Sequence, residues 1–150
     1  MLDTIQAINR SAAFNRWAGF DVTQAADGQA ELRMKWREED MGQYTGFLHA
    51  GMIAALLDTV SGFAAATVAG RVLASHFSIN CISPAIGEAF VARGRVVKAG
   101  RKQVFVGAEL FAQPEGQGED KLKLVATANA ILVPVDEAST TPKPKPKQAA

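Results

Sequence analysis

The stretch HAGMIAALLDTVSGFAA, His49 to Ala65, decides the fold. It is almost wholly apolar, rich in small residues and long enough for about four helical turns. Leu48, Met52, Ile53, Leu56, Leu57, Val60 and Phe63 cover most of a helix circumference, with alanines filling the gaps. A helix apolar all round is a buried one, so the pattern predicts a core helix over residues 49–66 held in the concave face of a sheet. Its small residues (Ala50, Gly51, Ala54, Ala55, Ser61, Gly62, Ala64, Ala65) would let that sheet close tightly. Asp58 does not belong in such a helix. A carboxylate there is costly unless it is paired, hydrogen-bonded or used. The plain account is that Asp58 faces a solvent cleft or bonds a hydroxyl such as Thr59.

On the N-terminal side, Asp3 can cap a helix over about residues 3–15, with Ile5, Ile8 and Ala12 on one face. The next segment reads as a hairpin. Phe20 and Val22 alternate with polar residues, Asp27-Gly28 supplies the turn, and Ala30, Leu32, Met34 and Trp36 alternate after it. A polar loop, REEDMGQYTGF, leads into the core helix, which gives out near Gly70. Beyond it the period changes to two. VLASHFSINCISP, EAFVARGRVVK, QVFVGAELFAQ and KLKLVATANAILVPV are four strands joined by short turns. Links this short leave no room for crossover helices, so the class is α+β with one antiparallel sheet of about six strands. The domain spans residues 1–136. The tail from 137 to 150 alternates Pro and Lys and is expected to be disordered.

Composition narrows the function classes. The chain has 150 residues, 48% of them apolar, and a formal charge of +1. That balance gives no support to nucleic-acid binding or an anionic membrane surface. A single cysteine rules out an intramolecular disulfide. The N-terminal segment carries Asp3 and lacks an apolar run, so no secretory signal is expected there. A soluble, cytoplasmic protein is the expectation. Two histidines and one cysteine have no metal-ligand spacing, so no metal site is indicated. His76 is expected as a packed or edge residue, and Cys81 as a small core hydrophobe.

The start of the core helix supplies chemistry. A helix N-terminus offers free N–H groups and a positive dipole end, which can hold an oxyanion or a phosphate. His49 and Asp58 are nine residues apart, so they lie roughly 13 Å apart along the axis and face opposite ways. One chain cannot readily bring both to the same substrate atom. Two chains related by a two-fold axis could, each lending one half to each of two sites.

At these residues the sequence resembles the hotdog-fold acyl-CoA thioesterases of the phenylacetate-pathway (PaaI-like) and 4-hydroxybenzoyl-CoA type. The family pattern is an Asn or Gln, then six residues on a His-Gly-Gly, then nine residues beyond that His an Asp or Glu. Gln43, His49-Ala50-Gly51 and Asp58 stand at those spacings. The resemblance runs from about Phe14 to Val135 and includes the later NCISPAIGEAFVARGRVVKAGRKQVFVGAELF. It implies a single hotdog domain, a homodimer or homotetramer, and hydrolysis of acyl-CoA to free acid and CoA. No cofactor is implied beyond the CoA carried by the substrate.

Carried over residue by residue, the resemblance makes Asp58 the nucleophile or the general base. The Ala50 N–H would hold the oxyanion, and the Gln43 amide would orient the thioester or the water. His49 would shape the turn, and Gly51 would permit it. Beside these, Thr59, Ser75, Arg101 and Lys102 are candidate substrate contacts; the two cations cluster with Arg93, Arg95 and Lys98 around one hairpin, where a solvated strand face is the default and contact with CoA phosphates the alternative. Ala50 departs from the family's Gly, and the Ser or Thr often found in the strand after the helix has no clear match, Ala74 and Ser75 lying near that place. Ala50 keeps open a non-catalytic acyl-CoA binder, and His49 keeps open an enoyl-thioester hydratase or dehydratase.

Overall fold

The computed structural model describes residues 1–136; the Pro/Lys-rich tail lies outside the described residues. In chain order the elements are α1 (Leu2–Ser11), α2 (Ala13–Ala18), β1 (Asp21–Ala26), β2 (Gln29–Lys35), α3 (Glu38–Met41), α4 (Ala50–Ala69), β3 (Val72–Cys81), β4 (Ala89–Ala99), β5 (Val104–Gln113) and β6 (Lys123–Pro134), with a 3-10 turn at Glu119–Lys121. The six strands form one sheet in the order β1-β2-β4-β5-β6-β3, and every neighbouring pair is antiparallel. Helix α4 touches all six strands, so the sheet wraps it as the resemblance implies. By length and composition α4 could cross a membrane, yet it is the helix that the sheet encloses.

The apolar residues of α4 explain that placement. Met52, Ile53, Leu56, Leu57, Val60 and Phe63 are all buried, and so is Leu48 just ahead of the helix. They meet inward-facing side chains from every part of the sheet, among them Val22, Leu32, Phe90, Val106, Leu110 and Leu132. The approach is closest at β4. A Cβ added to Gly94 would lie 2.9 Å from the Val60 carbonyl oxygen, so only glycine lets the strand run against the helix backbone. Of the small residues expected beneath the sheet, Ser61, Ala64 and Ala65 are buried there. Gly51, Ala54, Ala55 and Gly62 are not buried. At 3.6 residues per turn they share one side of the helix with Asp58. That side is half-open.

The N-terminal helix expected over 3–15 is two helices. Ala12 takes an extended conformation (φ −83°, ψ 119°) between them, and α2 ends on Gly19 with φ 74°. Asp3 lies in the first turn of α1 and does not cap it. Ile5 is buried but Ile8 is exposed; the second inward residue is Asn9, whose amide donates to the Phe20 carbonyl at 2.7 Å. The Asp27-Gly28 turn forms as expected, with φ 50° and 78° at its two residues. A bulge at Thr23 then shifts the parity of β1, so Val22 and Ala25 both face the core. Helix α4 runs to Ala69, past the bound of 66, and stops at Gly70 with φ 71°, where the apolar pattern was expected to give out.

The two edges of the sheet are treated differently. Edge β1 packs against α1. Edge β3 is exposed along most of its ten residues, with Leu73 and Phe77 open to solvent. His76 lies on this edge, in keeping with expectation.

Candidate active site

The loop between α3 and α4 is tied down before the helix begins. Gly42 bridges to Leu48. The Gln43 N–H donates to the Phe47 carbonyl at 2.8 Å, and the Gly46 N–H returns to the Gln43 carbonyl at 2.9 Å. Gly46 takes φ 85°, which closes the turn. The His49 N–H donates to the Met41 carbonyl at 2.9 Å, anchoring the residue that caps α4.

His49 then allocates the first helical donors. Its Nδ1 accepts from the Gly51 N–H at 2.8 Å. Its carbonyl accepts from Met52 and Ile53. Among the described residues, the Ala50 N–H alone in this first turn is left without an acceptor. It stands at the positive end of a 20-residue helix. Gly51 is required for this cap, since a Cβ there would lie 2.9 Å from His49 Nδ1. Ala50 has ordinary helical backbone; Asp27 is the one non-glycine residue with positive φ among those described. The methyl that replaces the family's Gly therefore costs no backbone strain.

This helix start opens on a groove of about 800 Å³ lined by Gln43, Tyr44, Phe47, Leu48, His49, Ala50 and Ile53, and on its far wall by Cys81, Ile82 and Pro84. Cys81, expected in the core, is exposed here, on an edge strand that is paired on one side only. The Gln43 side chain is held by Thr45, whose N–H and hydroxyl both donate to Gln43 Oε1, the hydroxyl at 2.6 Å.

Asp58 is not part of this groove. It sits about two turns along α4 on the half-open side, and no donor among the described residues reaches its carboxylate. The bond to Thr59 considered from sequence does not form. Burial without a compensating donor pushes the Asp58 pKa above the ordinary aspartate range.

The expected substrate contacts lie elsewhere. Thr59 is next to Asp58, half-buried on α4. Ser75 is on β3 at a bulge, its hydroxyl 3.3 Å from the Ile131 carbonyl. Arg101 and Lys102 are exposed in the β4–β5 turn. The strand register puts this turn beside the start of β3, since Val104 pairs with Leu132 and Leu132 with Ala74. Cys81 and the groove are at the other end of β3. A single protomer therefore brings Gln43, His49, Ala50 and Gly51 together and leaves Asp58, Ser75, Arg101 and Lys102 apart from them. The wall formed by Phe47, Ile53, Ile82 and Pro84 was not singled out from sequence, where these residues read only as core or loop.

A model of the thioesterase superfamily matches residues 45–119, a span that contains His49, Ala50 and Asp58. A thioesterase family protein from Silicibacter pomeroyi superposes with a TM-score of 0.80 at 30% identity, over 86% of this chain and 93% of that one. The Escherichia coli PaaI protein from the phenylacetic acid degradation operon superposes at 0.78 and 19% identity, over 91% and 97%. A Streptococcus mutans protein in a structure bound to acetyl-CoA superposes at 0.65 and 23% identity, over 76% and 86%. No curated protein matches the sequence. With half the chain matched by the family model and its fold shared across these structures, the chain belongs to the thioesterase superfamily and is a hotdog domain.

Proposed function

We propose that this protein hydrolyses acyl-CoA thioesters to free acid and CoA, at two sites that each combine residues of two protomers. One observation carries the reading: the helix that presents an unoccupied Ala50 N–H over an apolar groove also carries an unpaired carboxylate, Asp58. Family membership supports thioester chemistry, and one structural relative was solved with acetyl-CoA. The exposed β3 edge supports self-association. An antiparallel pairing of two such edges is self-complementary under a two-fold axis and would satisfy the unpaired backbone groups. It would also place the Asp58 side of one α4 across from its partner.

In this mechanism the thioester carbonyl oxygen accepts from the Ala50 N–H of one protomer. Asp58 of the other either attacks the carbonyl carbon or takes a proton from the attacking water. The negative charge that develops on oxygen is stabilised by the N–H and the helix dipole, a contribution of about 3 kcal/mol for one well-placed donor. The C–S bond then breaks and CoA leaves as thiolate, to be protonated; on the nucleophilic route this leaves an acyl–Asp58 anhydride, which water cleaves to the free acid and the regenerated carboxylate. A raised pKa makes Asp58 a stronger base than an exposed aspartate. The hydratase alternative needs a histidine base. Here Nδ1 accepts from Gly51, so neutral His49 carries its proton on Nε2 and presents a donor.

Release of free thiol from short, medium, long and aryl acyl-CoAs tests the proposal, with Asp58→Ala and Asp58→Asn beside the wild type. Turnover lost in both folded variants is expected. No release from any substrate, or release indifferent to Asp58, would favour an acyl-CoA-binding protein.

A further inference from the structure

We infer that Thr45 is a positioning residue that fixes which end of the Gln43 amide faces the groove; the inference rests on reading that groove as the thioester site. The argument is one of donor and acceptor bookkeeping. The Thr45 N–H can only donate, so the Gln43 atom it meets is the carbonyl oxygen, and the Thr45 hydroxyl donates to the same atom. Both acceptor positions of that oxygen are then used. The opposite end of the amide, Nε2, has no acceptor among the described residues. Gln43 is thereby restricted to the role of hydrogen-bond donor in the groove that Ala50 also lines. Its oxygen has no acceptor position left for a hydrogen bond from an attacking water.

The surrounding loop makes this lock specific. The Gln43 backbone is pinned at both its N–H and its carbonyl, so the remaining freedom lies in the side chain. Thr45 is exposed, so core packing does not account for its hydroxyl. Without that hydroxyl the amide keeps one of two bonds and can turn. A turned amide would present its carbonyl to the thioester oxygen, a repulsive contact where a donor is needed.

Two measurements on the full-length protein test this. The first needs no substrate: rotation of the Gln43 side-chain amide, followed by nitrogen-15 exchange spectroscopy and assigned by its loss in Gln43→Ala. The amide should be locked in the wild type, should rotate faster in Thr45→Val, and should be locked again in Thr45→Ser. Free rotation in the wild type, or rotation insensitive to Thr45→Val, overturns the inference. The second is thioester hydrolysis. Thr45→Val should lower kcat roughly tenfold with a much smaller change in KM, Thr45→Ser should recover most of it, and Thr45→Val should add nothing to Gln43→Ala. A full additional loss in the Gln43→Ala background would mean that Thr45 acts otherwise than through Gln43. If the wild type hydrolyses no thioester, the proposed function fails while the amide measurement still decides the role of Thr45.

Discussion

The two parts of α4 on which the proposed function rests are opposites. Its first turn is rich in hydrogen-bond donors: His49 occupies the Gly51 N–H and leaves the Ala50 N–H without an acceptor among the described residues, in a groove that Gln43 also lines. Its middle has a base and no donors: Asp58 is half-buried, meets no donor among the described residues, and has a raised pKa. Each part lacks what the other holds, and nine residues of helix keep them on opposite faces. The same asymmetry recurs at the sheet edges, where β1 is covered by α1 and β3 is left open. On the proposed reading, a chain with these two half-sites and one open edge is completed by its own copy.

The largest expected effect breaks the base half. Asp58→Ala should reduce kcat by ~10³-fold or more, since a positioned base contributes about 10²–10⁴. Complementation sharpens the comparison. Coexpressing Asp58→Ala with Gln43→Ala should restore about a quarter of wild-type turnover, because random pairing makes half the dimers mixed and each mixed dimer holds one whole site. No recovery would mean that each protomer is self-sufficient or that the halves never meet.

A smaller effect concerns the packing that holds the two halves in register. Gly94→Ala should destabilise the fold by about 1–3 kcal/mol in chemical denaturation, because its Cβ meets the Val60 carbonyl, which is backbone and cannot swing away. An unchanged midpoint would show that β4 can move off α4 without cost.

The smallest effect has the opposite sign. Burial raises the Asp58 pKa in the folded protein above its unfolded value. The folded state therefore holds the proton more tightly, and stability falls as pH rises from the ordinary aspartate range through the raised pKa. Above that range a constant deficit remains. Asp58→Asn should remove it and raise Tm at neutral pH by a small margin. The gain should vanish below the ordinary aspartate pKa, where both forms are neutral. Hydrolysis should follow the same group, rising with pH through the raised pKa and failing on acidification earlier than an exposed carboxylate would allow.

Much of this was legible in the residues. The apolar circumference of residues 48–63 announced a wrapped helix, and the period-two runs announced the strands, because burial sets both patterns. The spacing of Gln43, His49 and Asp58 marked the residues of the proposed site, and helix geometry converts that count of residues into opposite faces. Other features were not legible. The break at Ala12, the bulge at Thr23 and the exposure of Cys81 depend on which strand neighbours which, and no local pattern carries that. Likewise the small residues Gly51, Ala54, Ala55 and Gly62 were read as packing under the sheet, because a glycine or alanine looks the same on either side of a helix.

By itself, then, the sequence determined the class of fold, the helix at its centre and the anomalous carboxylate upon it, because hydrophobic periodicity and chain spacing are local properties. Only the tertiary structure decided which N–H the His49 cap leaves open, which way the Gln43 amide faces, and which sheet edge is left exposed. Those depend on hydrogen-bond partners and strand neighbours brought together across the chain, and each donor or edge is free only because all the others have been taken.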